Sequence, residues 1–501
     1  MNDPQIALNP NKIVRFLQKP SKDFTKEDII SFIEKNNIDM VNFRYVGGDG
    51  KLKTLNFIIT SKTHLDRLLS TGERVDGSSL FSYIDASLSD LYVIPRYKTA
   101  YVNPFSPIPT VDILCSFYTS RGERLPSSPE NIVFKAHESL KQRTGFTLEA
   151  MGELEYYVFY ERQHLYPVMP QKGYHESSPF SKWEHFRCEA MKAIAQVGGI
   201  IKYGHSEVGG ISETDREMEQ HEIEFLPVPI EEAADQIVLA KWILRVIGYK
   251  YGIVTSFAPK ISVGHAGNGL HIHTKLVKNG KNMMVRDGDL SDTARQVIAG
   301  FLECAPSLTA FGNTIPVSYL RLVPDQEAPT RICWGERNRS VLVRVPLGWR
   351  SKNSMINDAN LLEDAGVNEF SDNQTVEFRC PDGSADVYLL LAGLAAAARH
   401  GLEMDNALQI AESLYVDVNI FSQEHKTLLS KLPCLPLSCW ESAEILRKER
   451  HIYQEDGVFS PVVIDGVAAL LQSYDDRNLR EKLHHNDAEI KKLVDKYLHY
   501  A

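Results

Sequence analysis

Four short segments of the 501-residue chain place two ionisable side chains two positions apart, with one apolar residue between them. They are Glu153-Leu154-Glu155, Glu222-Ile223-Glu224, His271-Ile272-His273 and Glu377-Phe378-Arg379. In a β-strand, residues i and i+2 point to the same face. Such strands, paired side by side, form a charged wall that cannot be a core, because two carboxylates ~4 Å apart repel by roughly 4 kcal/mol at an effective dielectric of ~20. The pattern predicts a site for divalent metal ions and an anionic, phosphorylated ligand.

Composition and charge narrow the class of protein. The chain is 43% hydrophobic and 24% charged, which is typical of a globular protein, and its net charge of -10 argues against nucleic acid as the main partner. Its seven cysteines contain no CxxC pair, so neither a disulfide framework nor a thiolate zinc site is indicated. The N-terminal residues do not resemble a signal peptide, and no apolar run is long enough to cross a bilayer. We therefore expect a cytoplasmic protein without a membrane partner.

The order of helix and strand patterns predicts three parts. We expect a mobile N-terminal lead over residues 1–23, a small sheet domain over residues 24–121 and a larger domain over residues 122–501 that mixes helices with a sheet. A helix is predicted to begin after Ser128, with Pro129 in its first turn, and to end at Gly145. Strand patterns follow at residues 146–160 and 222–226.

Three further segments carry side chains that suit the same chemistry. The histidine pair follows a glycine-rich loop over residues 264–270, which lets the backbone approach a ligand closely. Arginines at 337, 339 and 344 suit bidentate phosphate contacts, although a surface strip of salt bridges is the more common arrangement for such a segment taken alone. Glu327 lies in a loop with a proline at each end, which is either a lid over a site or a plain turn. A binuclear metallohydrolase is the rival interpretation from these residues alone, but such an enzyme has no need of the arginines.

Taken together, these segments resemble glutamine synthetase, nearest to its bacterial type I branch. The motifs that carry the resemblance are VDGSS (75–79), GELEYYVF (152–159), HSEV (205–208), QHEIEF (220–225), GNGLHIH (267–273), SYLRLVPDQEAPT (318–330), ERNRSVLVRVP (336–346) and VEFRCPDGSADVYL (376–389). The resemblance implies an α+β fold with a small β-grasp-like N-terminal domain, and a large catalytic domain whose curved antiparallel sheet lines a funnel and whose C-terminal part is helical. It also implies a homo-oligomer of stacked hexamer rings with active sites shared between neighbouring subunits.

The implied reaction joins ammonia to the side-chain carboxylate of L-glutamate. ATP phosphorylates that carboxylate, and ammonia then displaces phosphate from the γ-glutamyl phosphate. Two or more Mg²⁺ or Mn²⁺ ions are expected, since both are hard cations that bind oxygen and imidazole donors. By resemblance, the first ion is bound by Glu155, Glu207 and Glu222, and the second by Glu153, His271 and Glu377.

The same resemblance assigns the substrate contacts. The residues implied to bind glutamate are Arg321, Arg379 and the backbone of Gly267. Those implied to contact ATP or its transferred phosphate are His273, Arg339 and Arg344. Glu327 matches the flap carboxylate that shields the acyl phosphate from water, and Asp76 matches a carboxylate lent by the adjacent subunit to deprotonate ammonium. Tyr174 matches the tyrosine of the ammonium pocket, which Glu207 also lines.

Departures from the family pattern leave two alternatives to a glutamine synthetase. The chain has Ala266 in the glycine-rich loop, where the family usually has an asparagine, and Lys275 after the HIHT segment, where a nucleotide-contacting serine is usual. It also lacks the basic pair expected before Glu377. A γ-glutamyl-amine ligase for a polyamine or an aromatic amine would usually lose the aspartate, tyrosine or glutamate of the ammonium pocket, and this chain has all three. A non-catalytic structural relative would have lost metal ligands, and none of the six is missing.

Overall fold

Residues 4–84, 89–262, 264–322, 329–348, 355–362, 373–483 and 486–500 are described by the computed structural model of the protein. The first of two large sheets is built by residues 40–118. Its strands, in chain order, are β1 (Met40–Val46), β2 (Leu52–Ile58), β3 (Glu73–Asp76), β4 (Asp90–Pro95), β5 (Tyr101–Val102) and β6 (Thr110–Tyr118). They lie in the order β2-β1-β6-β4-β3, with β5 paired to β6, and β1 runs parallel to β6.

Helices from the first 71 residues pack against the first sheet and share its apolar core. They are α1 (Pro4–Ala7), α2 (Lys12–Leu17), α3 (Lys26–Lys35) and α4 (Lys62–Thr71). A capping box of Thr25 and Asp28 begins α3, because each side chain accepts a hydrogen bond from the backbone N–H of the other. Within the lead that was expected to be mobile, α2 buries Ile13 and Val14 in the core of this sheet. The predicted boundaries of the three parts, after residues 23 and 121, stay predictions.

The second sheet is built by strands between residues 147 and 378. The strands in this part of the chain are β7 (Thr147–Glu161), β8 (Ile201–Ser212), β9 (Arg216–Phe225), β10 (Val228–Pro229), β11 (Val254–Ser256), β12 (Leu270–Lys278), β13 (Lys281–Asn282), β14 (Val285–Arg286), β15 (Asp289–Leu290), β16 (Trp334–Glu336), β17 (Val343–Val345) and β18 (Val376–Phe378). The sheet runs in the order β16-β17-β18-β12-β7-β9-β8, with β10 and β11 paired to β7 and β13 paired to β12, whereas β14 and β15 form a separate two-stranded sheet. The pairings from β17 to β8 are antiparallel, and β16 runs parallel to β17.

Helices surround the second sheet and dominate the C-terminal part of the chain. They are α5 (Pro129–Thr144), α6 (Glu184–Gln196), α7 (Ile230–Tyr251), α8 (Asp292–Gly312), α9 (Ser318–Arg321), α10 (Met355–Ala359), α11 (Val387–Glu403), α12 (Ala407–Ser413), α13 (Lys426–Lys431), α14 (Cys439–Gln454), α15 (Pro461–Ser473), α16 (Leu479–Leu483) and α17 (Asp487–Tyr497). The α+β class is confirmed. Helix α5 has the predicted bounds and ends at Gly145, whose φ of 74° is left-handed.

Strand β7 shows how the sheet separates core from site. Its even-numbered residues Leu148, Ala150 and Leu154 are fully buried in the main apolar core, against helices such as α7. The odd-numbered Glu153 and Glu155 point to the opposite face, as the period of two requires. A one-residue shift would bury the carboxylates and expose the leucines, so this register is strongly favoured. Within the described residues, no helix has the length and apolar character needed to span a membrane.

Candidate active site

Strand register brings the four predicted segments together on one face of the second sheet. His271 on β12 lies opposite Glu153 on β7, and Glu153 lies opposite Glu224 on β9. One step along the strands, Glu155 lies opposite Glu222. On the other side of β12, His273 pairs with Glu377 on β18, which in turn pairs with Arg344 on β17. The predicted wall of carboxylates, imidazoles and guanidinium groups is therefore present.

Two imidazoles hold the carboxylate of Glu153. Nδ1 of His271 lies 3.0 Å from one oxygen of Glu153, and Nε2 of His273 lies 2.8 Å from the other. Burial opposes ionisation of Glu153, but the charge of His273 and hydrogen bonds from both rings hold its pKa well below the ordinary value. Thr375 fixes the second ring, since its hydroxyl lies 2.9 Å from Nδ1 of His273. Glu153 is thus a carboxylate that stays charged inside the protein.

The surroundings of Glu222 shift its pKa in the opposite direction to that of Glu153. Burial, followed by the negative charges of Glu153 and Glu155, raises the pKa of Glu222 well above its ordinary value. The carboxylate of Glu155 accepts hydrogen bonds from the backbone N–H of Gly269 at 2.8 Å and from Gln220 at 3.0 Å. Negative charge is therefore concentrated around Glu222 beyond what the neighbouring hydrogen-bond donors balance. A divalent cation would relieve that repulsion.

Arginines lie at the edge of the wall nearest β17 and β18. Nη1 of Arg344 lies 2.8 Å from one oxygen of Glu377, and Nε of Arg379 lies 3.0 Å from the other. Although burial opposes ionisation, Arg379 lowers the pKa of Glu377. Arg379 also donates to the carbonyl of Arg339, which places the exposed Arg339 beside it. The guanidinium groups at this edge of the sheet can bind an anionic ligand.

The glycine-rich loop is shaped by close backbone contacts. A Cβ at position 267 would lie 2.2 Å from the carbonyl oxygen of Pro259 and 3.2 Å from the Arg321 side chain, so only glycine fits. Arg321 donates to the carbonyl of Cys380 at 2.9 Å, and its Nη2 lies 3.5 Å from Nε2 of His271. The backbone at Gly267 is therefore held against the Arg321 guanidinium and next to the wall.

A cavity of about 700 Å³ opens in front of this face. The predicted site residues that line it are Glu153, Glu155, Tyr174, Glu207, Glu222, Gly267, His271, His273, Arg321, Arg339, Arg344 and Arg379. Glu377 lies behind them, 1% exposed, in contact with the lining residues. Glu327 lies outside the described residues.

Asp76 does not line this cavity in its own chain. It is exposed at the end of β3 in the first sheet, and the hydroxyl groups of Ser79 and Ser78 donate to it at 2.6 and 2.7 Å. These hydrogen bonds lower its pKa to about 2. Asp76 is thus a charged carboxylate, held by two serine hydroxyls, that is exposed in its own subunit.

No individual role was predicted for four residues that lie together at the β8 edge, which are Lys202, Tyr203, His205 and Glu224. Glu224 accepts hydrogen bonds from the Tyr203 hydroxyl and, at 2.6 Å, from the ammonium of Lys202. Nε2 of His205 lies 3.0 Å from Glu222. The Glu222-Ile-Glu224 pattern was a signal for Glu224, but the partners on β8 depend on a register that shifts after Ile201 and after Ser206. Such bulges are not visible in the sequence.

The donor atoms suit hard divalent cations. Among the described residues, three sets of carboxylate oxygens and imidazole nitrogens lie within 4.8 Å of one another, and they are Glu153/Glu222/His271, Glu153/His273/Glu377 and His205/Glu222/Glu224. Oxygen-rich sites with one imidazole favour Mg²⁺ or Mn²⁺ over softer metals. Glu153 and Glu222 each occur in two of these sets, so the three groups are continuous along the wall.

Comparison with known proteins covers nearly the whole chain. Residues 37–120 match the family model "glutamine synthetase, beta-Grasp domain", and residues 126–490 match "glutamine synthetase, catalytic domain". The glutamine synthetase of Clostridium saccharobutylicum is 29% identical over 486 residues, which are 95% of this chain and 99% of that protein. That of Pyrococcus furiosus is 30% identical over 397 residues, covering 79% and 82% of the two chains.

Solved structures agree on the fold. A glutamine synthetase structure from Plasmodium falciparum superposes with a TM-score of 0.73 at 20% identity, over 92% of this chain and 99% of that one. A GmaS/ADP complex superposes with a TM-score of 0.70 at 17% identity, over 93% and 99%. At such identities the likeness concerns the fold alone.

Proposed function

The chain belongs to the glutamine synthetase family, and we propose that it joins ammonia to the side-chain carboxylate of L-glutamate with conversion of ATP to ADP and phosphate. The observation that carries this proposal is that the carboxylate and imidazole wall and the side chains of Arg321, Arg339 and Arg379 line one and the same cavity. A phosphorylated, acidic substrate pair needs both kinds of surface. The reaction would serve nitrogen assimilation and glutamine biosynthesis.

Two divalent ions would sit on the wall. Glu155, Glu207 and Glu222 would hold the first, and Glu153, His271 and Glu377 the second, with His273 close enough to Glu153 to orient it. When bound, Mg²⁺ or Mn²⁺ neutralises charge on the phosphates of ATP. The raised pKa of Glu222, caused by burial and by the neighbouring carboxylates Glu153 and Glu155, supports the binding of positive charge at this wall.

The arginines would bind and orient the anions. Arg321 and Arg379, with the backbone of Gly267, would hold the carboxylates of glutamate, since guanidinium groups pair with carboxylates in a planar fork. Arg339 and Arg344 would stabilise the charge that develops as the phosphoryl group moves to the glutamate side chain. The product of that step is a γ-glutamyl phosphate, and Glu327 would shield it from water.

The amine would enter on the side of Tyr174 and Glu207. Both line the cavity, and a negative, partly aromatic pocket favours a cation. Asp76 of an adjacent subunit would complete the pocket and accept the proton that ammonium loses before its nitrogen attacks the acyl carbon. The exposed, charged state of Asp76 in its own chain supports a role across a subunit boundary, in a ring-shaped homo-oligomer.

One observation favours a second candidate, a ligase for a larger amine. Rings crowd the amine side of the cavity: Tyr174 stacks on His175 with centroids 4.2 Å apart, and His175 lies 4.4 Å from His205. Such faces bind organic ammonium groups through cation–π contacts. Tyr174 is 52% exposed, so its ring remains available.

The experiment that tests the proposal measures phosphate release from ATP by the purified protein with Mg²⁺, with glutamate fixed and the amine varied. We expect release that requires both glutamate and ammonium. Turnover with an alkylamine or polyamine but not with ammonium would replace the first candidate by the second. Phosphate release that is independent of glutamate would exclude both.

A further inference from the structure

The segment between β7 and α6, residues 162–183, carries Tyr174 to the amine side of the cavity. The structure describes all of this segment, and it contains neither a helix nor a strand. It lies along β8, which is the last strand of the sheet. The backbone N–H groups of Gly173 and His175 donate to carbonyl groups of β8 at 3.2 and 2.9 Å. Tyr174 lies between these two hydrogen bonds, so its position depends on where the segment lies against the sheet.

Two buried carboxylates on β9 hold the two ends of this segment. Glu219, 5% exposed, accepts hydrogen bonds from the backbone N–H groups of Trp183 at 2.6 Å and Lys182 at 3.1 Å. Glu217, which is fully buried, accepts from the Lys182 ammonium at 2.6 Å and, at the other end of the segment, from the backbone N–H of Gln163 at 3.4 Å. Both glutamates lie on the face of β9 opposite the cavity, because the alternate residues of this strand line it.

A histidine orients Glu219 toward the segment. Nη1 of Arg187 lies 2.7 Å from Nδ1 of His221, and a guanidinium group only donates, so Nδ1 is the acceptor. The other ring nitrogen, Nε2, therefore carries the proton and donates to Glu219 at 3.0 Å. Although burial opposes ionisation of Glu219, the hydrogen bond from His221 lowers its pKa. Glu219 is thus a charged carboxylate that the histidine ring and the segment hold from two sides.

Apolar packing fixes this part of the segment only weakly. A small cavity of about 10 Å³ lies between Glu219 and the segment, where Gly173 and Ser181 line it. Met169 and Phe180 also line it, and they are 51% and 55% exposed, so they bury little apolar surface. The position of the segment therefore depends largely on its hydrogen bonds to β8 and to the two glutamates.

We propose that Glu219 is a positioning residue that determines the affinity for the amine, because it fixes the segment that places Tyr174 beside Glu207. This inference rests on the proposed function, which assigns both of those residues to the amine side of the cavity. Gly173 lies directly against the backbone of Glu207, since an added Cβ would be 2.6 Å from the Glu207 carbonyl oxygen. A displaced segment would move the Tyr174 ring relative to Glu207, while the sides of the cavity that bind L-glutamate and the nucleotide would keep their shape.

The test compares Michaelis constants of the purified full-length protein, with ammonium chloride as the amine or with the alkylamine or polyamine that the wild type uses instead. Glu219→Gln should raise the KM for the amine about 10-fold, with the KM for L-glutamate and the Kd of ADP with Mg²⁺ changed by less than about 2-fold. Glu219→Asp keeps the charge and should raise the amine KM about 3-fold, and it is the variant to use if the first does not fold. Glu213→Gln is the matched control, since Glu213 pairs with Arg216 at the turn between β8 and β9 and is 33% exposed.

A double variant tests whether Glu219 acts through Tyr174. Tyr174→Ala alone should raise the amine KM, and adding Glu219→Gln to it should raise that constant by less than about 2-fold further. Multiplied effects in the double variant, an unchanged amine KM in the Glu219 variants, or an equal rise for the amine and L-glutamate would overturn the proposal. Failure of the proposed function gives a different result, because the wild-type protein would then release no phosphate with L-glutamate and any amine.

Discussion

Nδ1 of His271 lies 3.0 Å from Oε2 of Glu153, and the two residues face each other directly across the β7–β12 pair. A cation bound by these two side chains on the cavity face of the sheet would meet groups that the strands already hold in place. It should therefore bind the folded state in preference to the unfolded chain. We predict that Mg²⁺ or Mn²⁺ raises the melting temperature and that EDTA reverses the effect. At a metal concentration 100 times Kd the stabilisation is about 2.7 kcal/mol.

The variants His271→Ala and Glu153→Gln should lose most of this metal-dependent shift. Glu161→Gln should keep it, because Glu161 lies at the exposed end of the same strand. Thermal denaturation with and without metal checks the prediction. An equal shift in His271→Ala and in the wild type would contradict the placement of a metal at this pair.

Arg339 and Glu327 are predicted to act at different steps. Arg339→Ala should lower ATP cleavage by about 10²- to 10³-fold, because a cation aimed at the developing phosphoryl charge is lost. Glu327→Ala should leave ATP cleavage largely intact but lower the amide formed per phosphate, since water would reach the acyl phosphate. The ratio of amide formed to phosphate released distinguishes slow phosphoryl transfer from loss of the acyl phosphate to water. Equal losses of ATP cleavage in the two variants would contradict it.

Asp76 is predicted to serve the active site of a neighbouring subunit. Asp76→Ala and Arg339→Ala should each be inactive alone, whereas mixed oligomers of the two should regain activity, because some sites then combine an intact Asp76 with an intact Arg339. The control is Asp90→Ala, since Asp90 is exposed directly opposite Asp76 across the β3–β4 pair and should be dispensable. Absence of complementation in co-expressed oligomers would indicate a site contained in one chain.

Gly267→Ala should damage the substrate site more than the fold. The added Cβ would lie 2.2 Å from the carbonyl oxygen of Pro259, so the loop must shift beside Arg321. We expect the KM for glutamate to rise about 10-fold or more, since a charged hydrogen bond is weakened. Gly466→Ala is a suitable control, because a Cβ there has only an ordinary contact with the Tyr83 ring at 3.6 Å. An unchanged KM in Gly267→Ala would show that the loop does not support substrate.

Buried Lys241 should make stability depend on pH. Burial, followed by the charge of Arg245, lowers the pKa of Lys241 to about 7 from an ordinary value of 10.5, and its Nζ donates to the carbonyl of Gly383 at 2.8 Å. Between these two pH values the unfolded chain binds a proton that the folded chain does not. Stability therefore rises with pH in this window, by up to about 1.4 kcal/mol per pH unit.

The variant Lys241→Met should lack this contribution. Melting temperatures of the wild type and Lys241→Met, measured from pH 7 to 9, should diverge in favour of the wild type as pH rises. Lys250→Met, which changes an exposed lysine at the end of the same helix, should follow the wild type. Parallel curves for all three would contradict a depressed Lys241 pKa.

The face of each functional strand was predictable from the sequence, but its partners were not. Alternation alone placed Glu153 and Glu155 together, since the period of two is local. Nothing local indicated that Glu153 would lie between His271 and Glu224, because register between strands distant in sequence is set by packing of the whole core. Residues 339–342 form a turn and a bend before β17, and Arg337 adopts a left-handed φ of 56° ahead of them, which the sequence pattern does not specify.

Burial of the N-terminal segment was also beyond sequence reasoning. Residues 1–23 are polar overall, which suggested mobility, yet Asn11 donates to the carbonyl of Ala100 at 3.2 Å and Ile13 is fully buried beside it. Two apolar residues in a polar segment are too weak a pattern to predict such docking. Site chemistry was more predictable, because several such segments occur together, although the pattern alone is not specific: Glu217-Met-Glu219 has it too, and these carboxylates pair with Lys182 and His221.

The most direct test of the central claim follows an oxygen atom. If glutamate is activated as a γ-glutamyl phosphate, one side-chain carboxylate oxygen leaves with the phosphate when the amine attacks the acyl carbon. With ¹⁸O in that carboxylate, mass spectrometry of the phosphate released in the presence of ATP, Mg²⁺ and ammonium should show one ¹⁸O per molecule. Phosphate that carries no label, although glutamate is consumed, would contradict this account.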